Sequence, residues 1–313
     1  MLRYILHRVL LALPTLLIVA VIVFVMMRMI PGDPAQLILG DIENPEALAR
    51  LRSELGLDRP ILMQFVLWMT KLLSGDLGMS VTQQRPVLDM LLSSFAVTAW
   101  LVVPAVFLAS LLAIPAGMLA AWKQNTVVDV TVVTIAIAFL SVPSFWLGLV
   151  FLLVFGLWLD LLPVVGYVSP TEDFREGVRY LIMPVASLAL IEMGVLIRMA
   201  RSSTIEVLRL EYITHARAKG LGEIAVARRH ALKNALAPTW TMIGLTLGGL
   251  LGGAVVTETV FTLPGIGHLL VESIFARDYP VVQGCLLFVT AIYVFVNLVV
   301  DLFYPLFDPR VRL

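Results

Sequence analysis

Six stretches of this chain are apolar over a length that suits a membrane interior: residues 9–27, 98–121, 130–159, 180–197, 235–256 and 284–303. About 20 helical residues cross a hydrocarbon core. Lipid offers no partner to a backbone N–H or C=O, so a spanning segment must satisfy its own, as a helix does, or pair them in a closed barrel. The chain reads as an all-α integral membrane protein with six transmembrane helices. With 60% hydrophobic residues against 14% charged and a mean hydropathy of +0.96, it is no ordinary soluble protein. A formal net charge of zero gives no bulk attraction to nucleic acid. The single cysteine, Cys285, builds no disulfide framework, and His7, His215, His230 and His268 show no H-E-x-x-H pairing, so no metal site is expected.

Charge sets the orientation. Arg3 and Arg8 precede the first run, which ends in Arg28-Met29-Ile30-Pro31-Gly32-Asp33 without the small-residue site of a cleaved signal peptide. An uncleaved first span with its N-terminus inside is expected. Six spans then place Lys123, Arg198, Arg201, Arg209, Arg310, Arg312 and the basic residues of 211–238 inside, whereas the outer Lys and Arg are fewer and spread over a longer length. The positive-inside rule favours both termini in the cytosol.

Residues 31–95 form the one sizeable polar region. Leu48, Leu51 and Leu55 give 45–57 an apolar helical face, Phe65 and Trp68 do the same for 61–73, and Ser74-Gly75-Asp76-Leu77-Gly78 is a turn. These faces need cover, and packing on the outer mouth is expected. Ser141-Val142-Pro143-Ser144 lies in mid-span, where a proline marks either a pathway lining or a plain structural kink. Gly244, Gly248 and Gly252 recur every four residues, a spacing that lets helix backbones approach, either inside the subunit or against a second one. Residues 257–267 are expected at the outer surface, and 269–275 is too short to span. Ionisable groups at membrane depth are Arg28, Glu192 and Asp301. Asp301 invites a basic partner at the cytosolic end, and Glu192 a water-filled cavity. Glu172, Asp173, Glu176, Glu272 and Asp278 make an acidic outer rim.

One segment, residues 211–238, does not belong in lipid. Arg217, Lys219, Arg228, Arg229 and Lys233 interrupt apolar surroundings. Tyr212, Ile213, Ala216 and Ala218 are spaced for a helix, Lys219-Gly220 ends it, and a second helix restarts at Glu223 with Ile224, Ala227, Ala231 and Ala235 on one stripe. Pro238 marks the hand-over to the next run. By charge alone this is a basic cytoplasmic loop of the sort many multi-span proteins carry. The chain contains no G-x-x-x-x-G-K-[ST], and so no P-loop of its own.

The order of residues in that segment adds more. Glu211-Tyr212 followed by Ala216, Ala218 and Gly220, then His-Ala-Leu-Lys-Asn-Ala at 230–235 and Pro238, resembles the EAA loop of ABC importer permeases, in particular the dipeptide, oligopeptide and nickel branch. Leu57-Asp58-Arg59-Pro60, residues 74–78, 257–267, 297–302 and Asp308-Pro309-Arg310 are similar to strings of the same branch, so the likeness runs from the first span to the C-terminus. Tyr212 departs from the alanine that names the motif.

The resemblance implies a type I importer membrane fold, N-in and C-in, with a periplasmic helical insertion: residues 1–97 as first span plus insertion, 98–313 as a five-helix core containing the coupling loop 202–238. It implies a bacterial or archaeal cytoplasmic-membrane permease for di- or oligopeptides, or for nickel or another small solute. Glu211, Tyr212, Ala216, Arg217, Lys219, Gly220 and Leu221 would meet an ATPase, and Ser141, Pro143, Ser144, Glu192 and Gly248 would line the path. The chain itself would be no enzyme and bind no cofactor. ATP and Mg would sit on two ATP-binding subunits, identical or different, beside a second homologous permease and an extracytoplasmic substrate-binding protein. A different class, a self-contained ion-coupled secondary transporter using Glu192 and Asp301, stays open, although no inverted repeat accompanies it.

Overall fold

The computed structural model describes residues 2–29, 45–54 and 58–307. Residues 31–33, Leu57 and the string from Asp308 onward lie outside the described residues. The first span is α1 (Leu2–Met29), followed by α2 (Pro45–Glu54) and α3 (Ile61–Leu73). Then come α4 (Val87–Trp122), α5 (Val127–Ser141) and α6 (Ser144–Phe151), the last continuing as a π-helical segment, Leu152–Trp158. The long α7 (Phe174–Leu208) leads to α8 (Glu211–Ala218), the short α9 (Glu223–Val226) and a π-helical turn, Ala227–Ala231. The chain finishes with α10 (Leu232–Gly253), α11 (Val255–Val260), α12 (Ile266–Phe275) and α13 (Tyr279–Phe307). Among the described residues the only β-pairing is the bridge between Met79 and Pro86.

Among the described residues five helices are long and apolar enough to cross a membrane, and α5 with α6 makes a sixth only as a broken pair bent by 93°. The span expected over 130–159 is thus this broken pair, and of the two readings of Pro143 a kink is present. Pro143 has no N–H to give the preceding turn and disfavours helical geometry at the residue before it, and Val142 is extended (φ −92°, ψ 125°). Pro104, Pro115, Pro184 and Pro238 sit inside continuous helices, so the hand-over expected at Pro238 is corrected: α10 starts six residues earlier, at Leu232.

Two spans run well past their apolar stretches. α4 is 36 residues, about 54 Å at 1.5 Å per residue, and crosses the position taken as a boundary between 97 and 98. Its first turns continue because Val87, Met90 and Leu91 pack into a core with Ile266, Leu269, Val281 and Cys285. The central core joins Leu101, Val102, Ala105 and Ala109 of α4 to Met183, Leu188 and Leu196 of α7, the most extensive helix pair. Gly117 permits this closeness, since a Cβ there would lie 2.6 Å from the Ile197 carbonyl; Gly194 does the same for α5 against α7, where a Cβ would lie 2.6 Å from the Ala136 carbonyl.

The glycine row of α10 faces α13. A Cβ at Gly248 would stand 3.0 Å from Tyr293 Cδ2, and one at Gly252 2.7 Å from Val289 Cγ1. Of the two sequence readings, tight packing within the chain describes this face. Trp240 Nε1 donates to the Val300 carbonyl at 3.2 Å, and Arg8 pairs with Asp301 at 3.0 Å, the basic partner expected for that carboxylate. These contacts bring the start of α1 and the end of α13 to the end of the bundle where α4 and α7 finish and α10 begins. We call it the elbow end. At the far end, α3 rests on α1 through Phe24, whose ring lies 5.1 Å from Phe65 and 5.5 Å from Trp68. Arg28 lies 3.9 Å over the Phe24 ring and donates to Gln64 Oε1 at 3.2 Å. None of the residues of α3 is buried, so its apolar face is only partly covered.

Candidate functional site

At the elbow end, α8 is seated by its apolar side. Ile213 and Ala216 are buried with Val207, Val226, Ala231 and Ala235, and Trp122, Leu208, Tyr212 and Leu221 close the edge of this small core. After Ala218 the backbone turns through Gly220 at φ +82°, the left-handed conformation expected of its Lys-Gly ending. The Gly220 N–H donates to the Arg217 carbonyl at 2.9 Å. Across the turn, Arg217 Nε and Nη2 donate to the two Glu223 oxygens at 2.9 and 3.1 Å, and Trp122 Nε1 adds a third bond at 2.8 Å. Asn234 Nδ2 donates to the Tyr212 hydroxyl at 2.6 Å. Both side chains of the Arg217–Glu223 pair are substantially exposed, so its stabilisation is about 0–1 kcal/mol, and its use is to fix an angle between two short helices.

The elbow thus sorts its residues. Glu211, Arg217, Lys219 and Gly220 are exposed, and Tyr212 and Leu221 are half-buried at the margin. Ala216, at 6% exposure, faces inward and holds α8 to its own chain. The stripe expected on the second helix needs one correction: Ile224 is 77% exposed, and Val226 is the buried residue. The π-helical turn at Ala227–Ala231 changes the register, so a 3.6-residue count from Ala231 backwards points to the wrong side chain.

Within the spans, Glu192 is half-buried and faces the Thr246 hydroxyl of α10. Ser141 and Pro143 are exposed at the α5–α6 break, Ser144 is half-buried, and Ser141 Oγ donates to its own helix at Ile137 O, 2.9 Å. The structure does not bring Gly248 to Glu192; Gly248 is buried against α13.

Two buried carboxylates escaped the sequence reading. Asp129, 3% exposed, accepts from Arg201 Nε at 2.6 Å and Nη2 at 2.7 Å, clamping α5 to α7 at the elbow end. Glu258, expected at the surface, has no exposure at all. Its oxygens accept from Thr98 Oγ1 at 2.6 Å and the His268 N–H at 2.9 Å, so it caps the start of α12, where free N–H groups favour a carboxylate. Gly265 lies so close to the Glu258 carboxylate, and Gly267 so close to Val255, that neither has room for a side chain. The T-E-T-x-F-T-x-P-G-I-G string carried the only hint: a glutamate seven residues before a glycine that opens a helix.

The acidic rim is also corrected at the far end. Asp278 is 1% exposed and accepts from Ser80 Oγ at 2.6 Å, Thr82 Oγ1 at 2.8 Å and Thr82 N–H at 3.1 Å. Burial pushes this carboxyl up, but the donors at Ser80, Thr82 and Val81 outweigh it and hold it below its usual range. Asp173 caps α7 through the Glu176 N–H, and Glu176 pairs with Arg179 at 3.0 Å. Exposed Glu172 and Glu272 remain, in a cavity of about 440 Å³ that Arg85 and His268 also line.

Comparison with known proteins decides what such a bundle is. Residues 113–313 match the model of the binding-protein-dependent transport system inner membrane component, and residues 1–102 match that of its N-terminal region. The chain belongs to this permease family. The permease is 40% identical over 332 residues to the dipeptide transport system permease protein DppB of Alkalihalophilus pseudofirmus, covering all of both chains. It is also 40% identical over 312 residues to the glutathione transport system permease protein GsiC of Salmonella choleraesuis, covering 100% of this chain and 99% of the relative. It is therefore a multi-pass protein of the cytoplasmic membrane and the permease subunit of an ABC importer, a part that transports rather than catalyses.

Proposed function

We propose that this permease forms half of a path for di- or oligopeptides and that the elbow receives the stroke of separate ATP-binding subunits. The observation that carries the coupling role is the construction of α8: one side is locked to its own chain by Ile213 and Ala216, and the other presents Glu211, Arg217, Lys219 and the Gly220 turn to whatever lies beneath. A rigid, basic projection held at both ends transmits a push to α7 and α10, the helices it joins. Tyr212 and Leu221 meet the partner at the margin. The peptide substrate rests on the relatives named for dipeptide and glutathione transport.

In this reading the elbow end is cytosolic, with both termini. The placement of Arg8, Asp301 and Trp240 at one end supports that orientation. Two ATP-binding subunits, identical or different, hold ATP and Mg below; a second homologous permease completes the path, and a binding protein delivers substrate at the far end. Glu192, with Ser141, Pro143 and Ser144 at the α5–α6 break, faces that path, because a half-exposed carboxylate at membrane depth needs water or a partner. Gly248 enters only by letting α10 and α13 close together. The ion-coupled alternative loses support from Asp301, which Arg8 already engages.

The test is reconstitution with the neighbouring permease, ATPases and binding protein. ATP-dependent peptide uptake is expected, and the isolated chain should hydrolyse no ATP. Ion-driven uptake by the purified single chain in liposomes would replace this reading with the secondary transporter.

A further inference from the structure

The helix α3 is apolar nearly all round and yet lies open. Of its 13 residues only Gln64, Thr70 and Lys71 are polar, and none of the 13 is buried. Leu62 and Leu73 are 77% and 81% exposed, and Ile61, Met63, Val66 and Leu67 are exposed as well. An apolar helix of about 10–14 residues is too short to span a bilayer, and belongs either in a protein core or at a membrane boundary. The core is excluded, because no side chain of α3 enters it.

The height of α3 is set by α1. Phe65 and Trp68 pack on Phe24, and Gln64 accepts from Arg28, one turn further along α1. Phe24 and Arg28 belong to the last turns of a span that ends at Met29, so α3 meets it where hydrocarbon gives way to headgroups. Val25, Met26 and Met29 of α1 are exposed at the same level. On a helical wheel Leu62, Leu73, Val66, Met63 and Leu67 of α3 cover an arc of about 140°. Only Thr70 interrupts this arc, and its hydroxyl is engaged by the Val66 carbonyl at 2.7 Å. A protein partner needs hydrogen bonds as well as apolar contact, and this face offers none. Gln64 and Lys71 lie together, about 20° apart on the wheel, on a polar strip beside Arg28. Trp68, Arg28 and Lys71 are side chains that suit the headgroup layer, where long basic stems reach the phosphates.

We infer that α3 lies in the boundary layer of the bilayer, with Leu62, Val66 and Leu73 among the acyl chains and Lys71 at the phosphates. It moors the segment after the first span to the lipid surface. In the orientation proposed above this is the outer leaflet. Residues 74–86, which follow directly, are held to Asp278 through Ser80 and Thr82, so the mooring fixes the height of that segment at the far end of the bundle.

The test uses the assembled transporter, with its second permease, in vesicles of phosphatidylethanolamine and phosphatidylglycerol. Leu62→Cys, Val66→Cys and Lys71→Cys, each in a Cys285→Ala background, carry a nitroxide, and Glu172→Cys on the outer rim serves as the reference in water. Oxygen concentrates in lipid and a nickel chelate stays in water, so the ratio of their collision rates reads depth. The labels at Leu62 and Val66 should lie about 5–10 Å below the phosphates, and the label at Lys71 shallower than both. A ratio at Leu62 and Val66 equal to that of the Glu172 reference would leave α3 in water and overturns the assignment. Exclusion of both reagents from Leu62 and Val66 would mean that a protein, the second permease, covers this face, and overturns it too. A label at Lys71 deeper than the other two would turn the wrong face to the lipid, with the same consequence.

Discussion

Replacing Thr98 by Val tests whether α12 is pinned from inside the bundle. The swap keeps the shape of a fully buried side chain and removes only its hydroxyl. That hydroxyl donates to Glu258 at 2.6 Å and accepts the Ile266 N–H at 2.9 Å, so one atom joins α4, α11 and the first turn of α12. Without it the Ile266 N–H is buried and unpaired, which costs about 1–3 kcal/mol, and a bond to a carboxylate worth about 1.5–3 kcal/mol is lost. The two losses share one site and do not add fully, so about 2–4 kcal/mol is expected. Thr98→Ser keeps both bonds and loses one methyl, about 1 kcal/mol. Cys285 reports the result, because it is buried in the core that Ile266 and Leu269 of α12 complete. Its labelling by a small thiol reagent should accelerate at least roughly 30-fold in Thr98→Val and far less in Thr98→Ser. Equal labelling rates and equal unfolding temperatures in the two variants would refute the reasoning.

Gly220→Val places a Cβ residue at φ +82° with open space around it, so the penalty is conformational, on the order of 1 kcal/mol. Membrane insertion should be normal, while substrate-stimulated ATP hydrolysis by the assembled complex falls. Gly248→Leu drives a side chain into Tyr293 and should lower the unfolding temperature, with a loss of about 1–3 kcal/mol. Asp278 has a depressed folded-state pKa, so its contribution is present above the unfolded value, about 3.9, and is lost as pH falls through the lower folded value. Proteolysis of the 74–86 segment should therefore rise in acid in wild type and be already raised at neutral pH in Asp278→Asn. Ser74→Cys should react with impermeant thiol reagents from outside and Ile224→Cys, 77% exposed, only from inside; the reverse pattern would invert the orientation.

The long apolar helices, the elbow and its glycine were legible in the chain because each depends on local physics. A 20-residue apolar run has nowhere to go but lipid, and Lys219-Gly220 sets a helix end through its own backbone freedom. The orientation of side chains was not. Pro143 breaks its helix by 93° while Pro104, Pro115, Pro184 and Pro238 do not, although all five stand in apolar surroundings. Tertiary neighbours decide whether the freed carbonyl is satisfied and the bend accommodated. The same holds for the buried carboxylates. Asp129 finds Arg201 72 residues away, and Glu258 finds Thr98 160 residues away. In the sequence each is one polar residue near the end of an apolar run. Only folding brings the donors that make its burial affordable, because the cost of removing a charge from water is met by groups that a local pattern cannot contain.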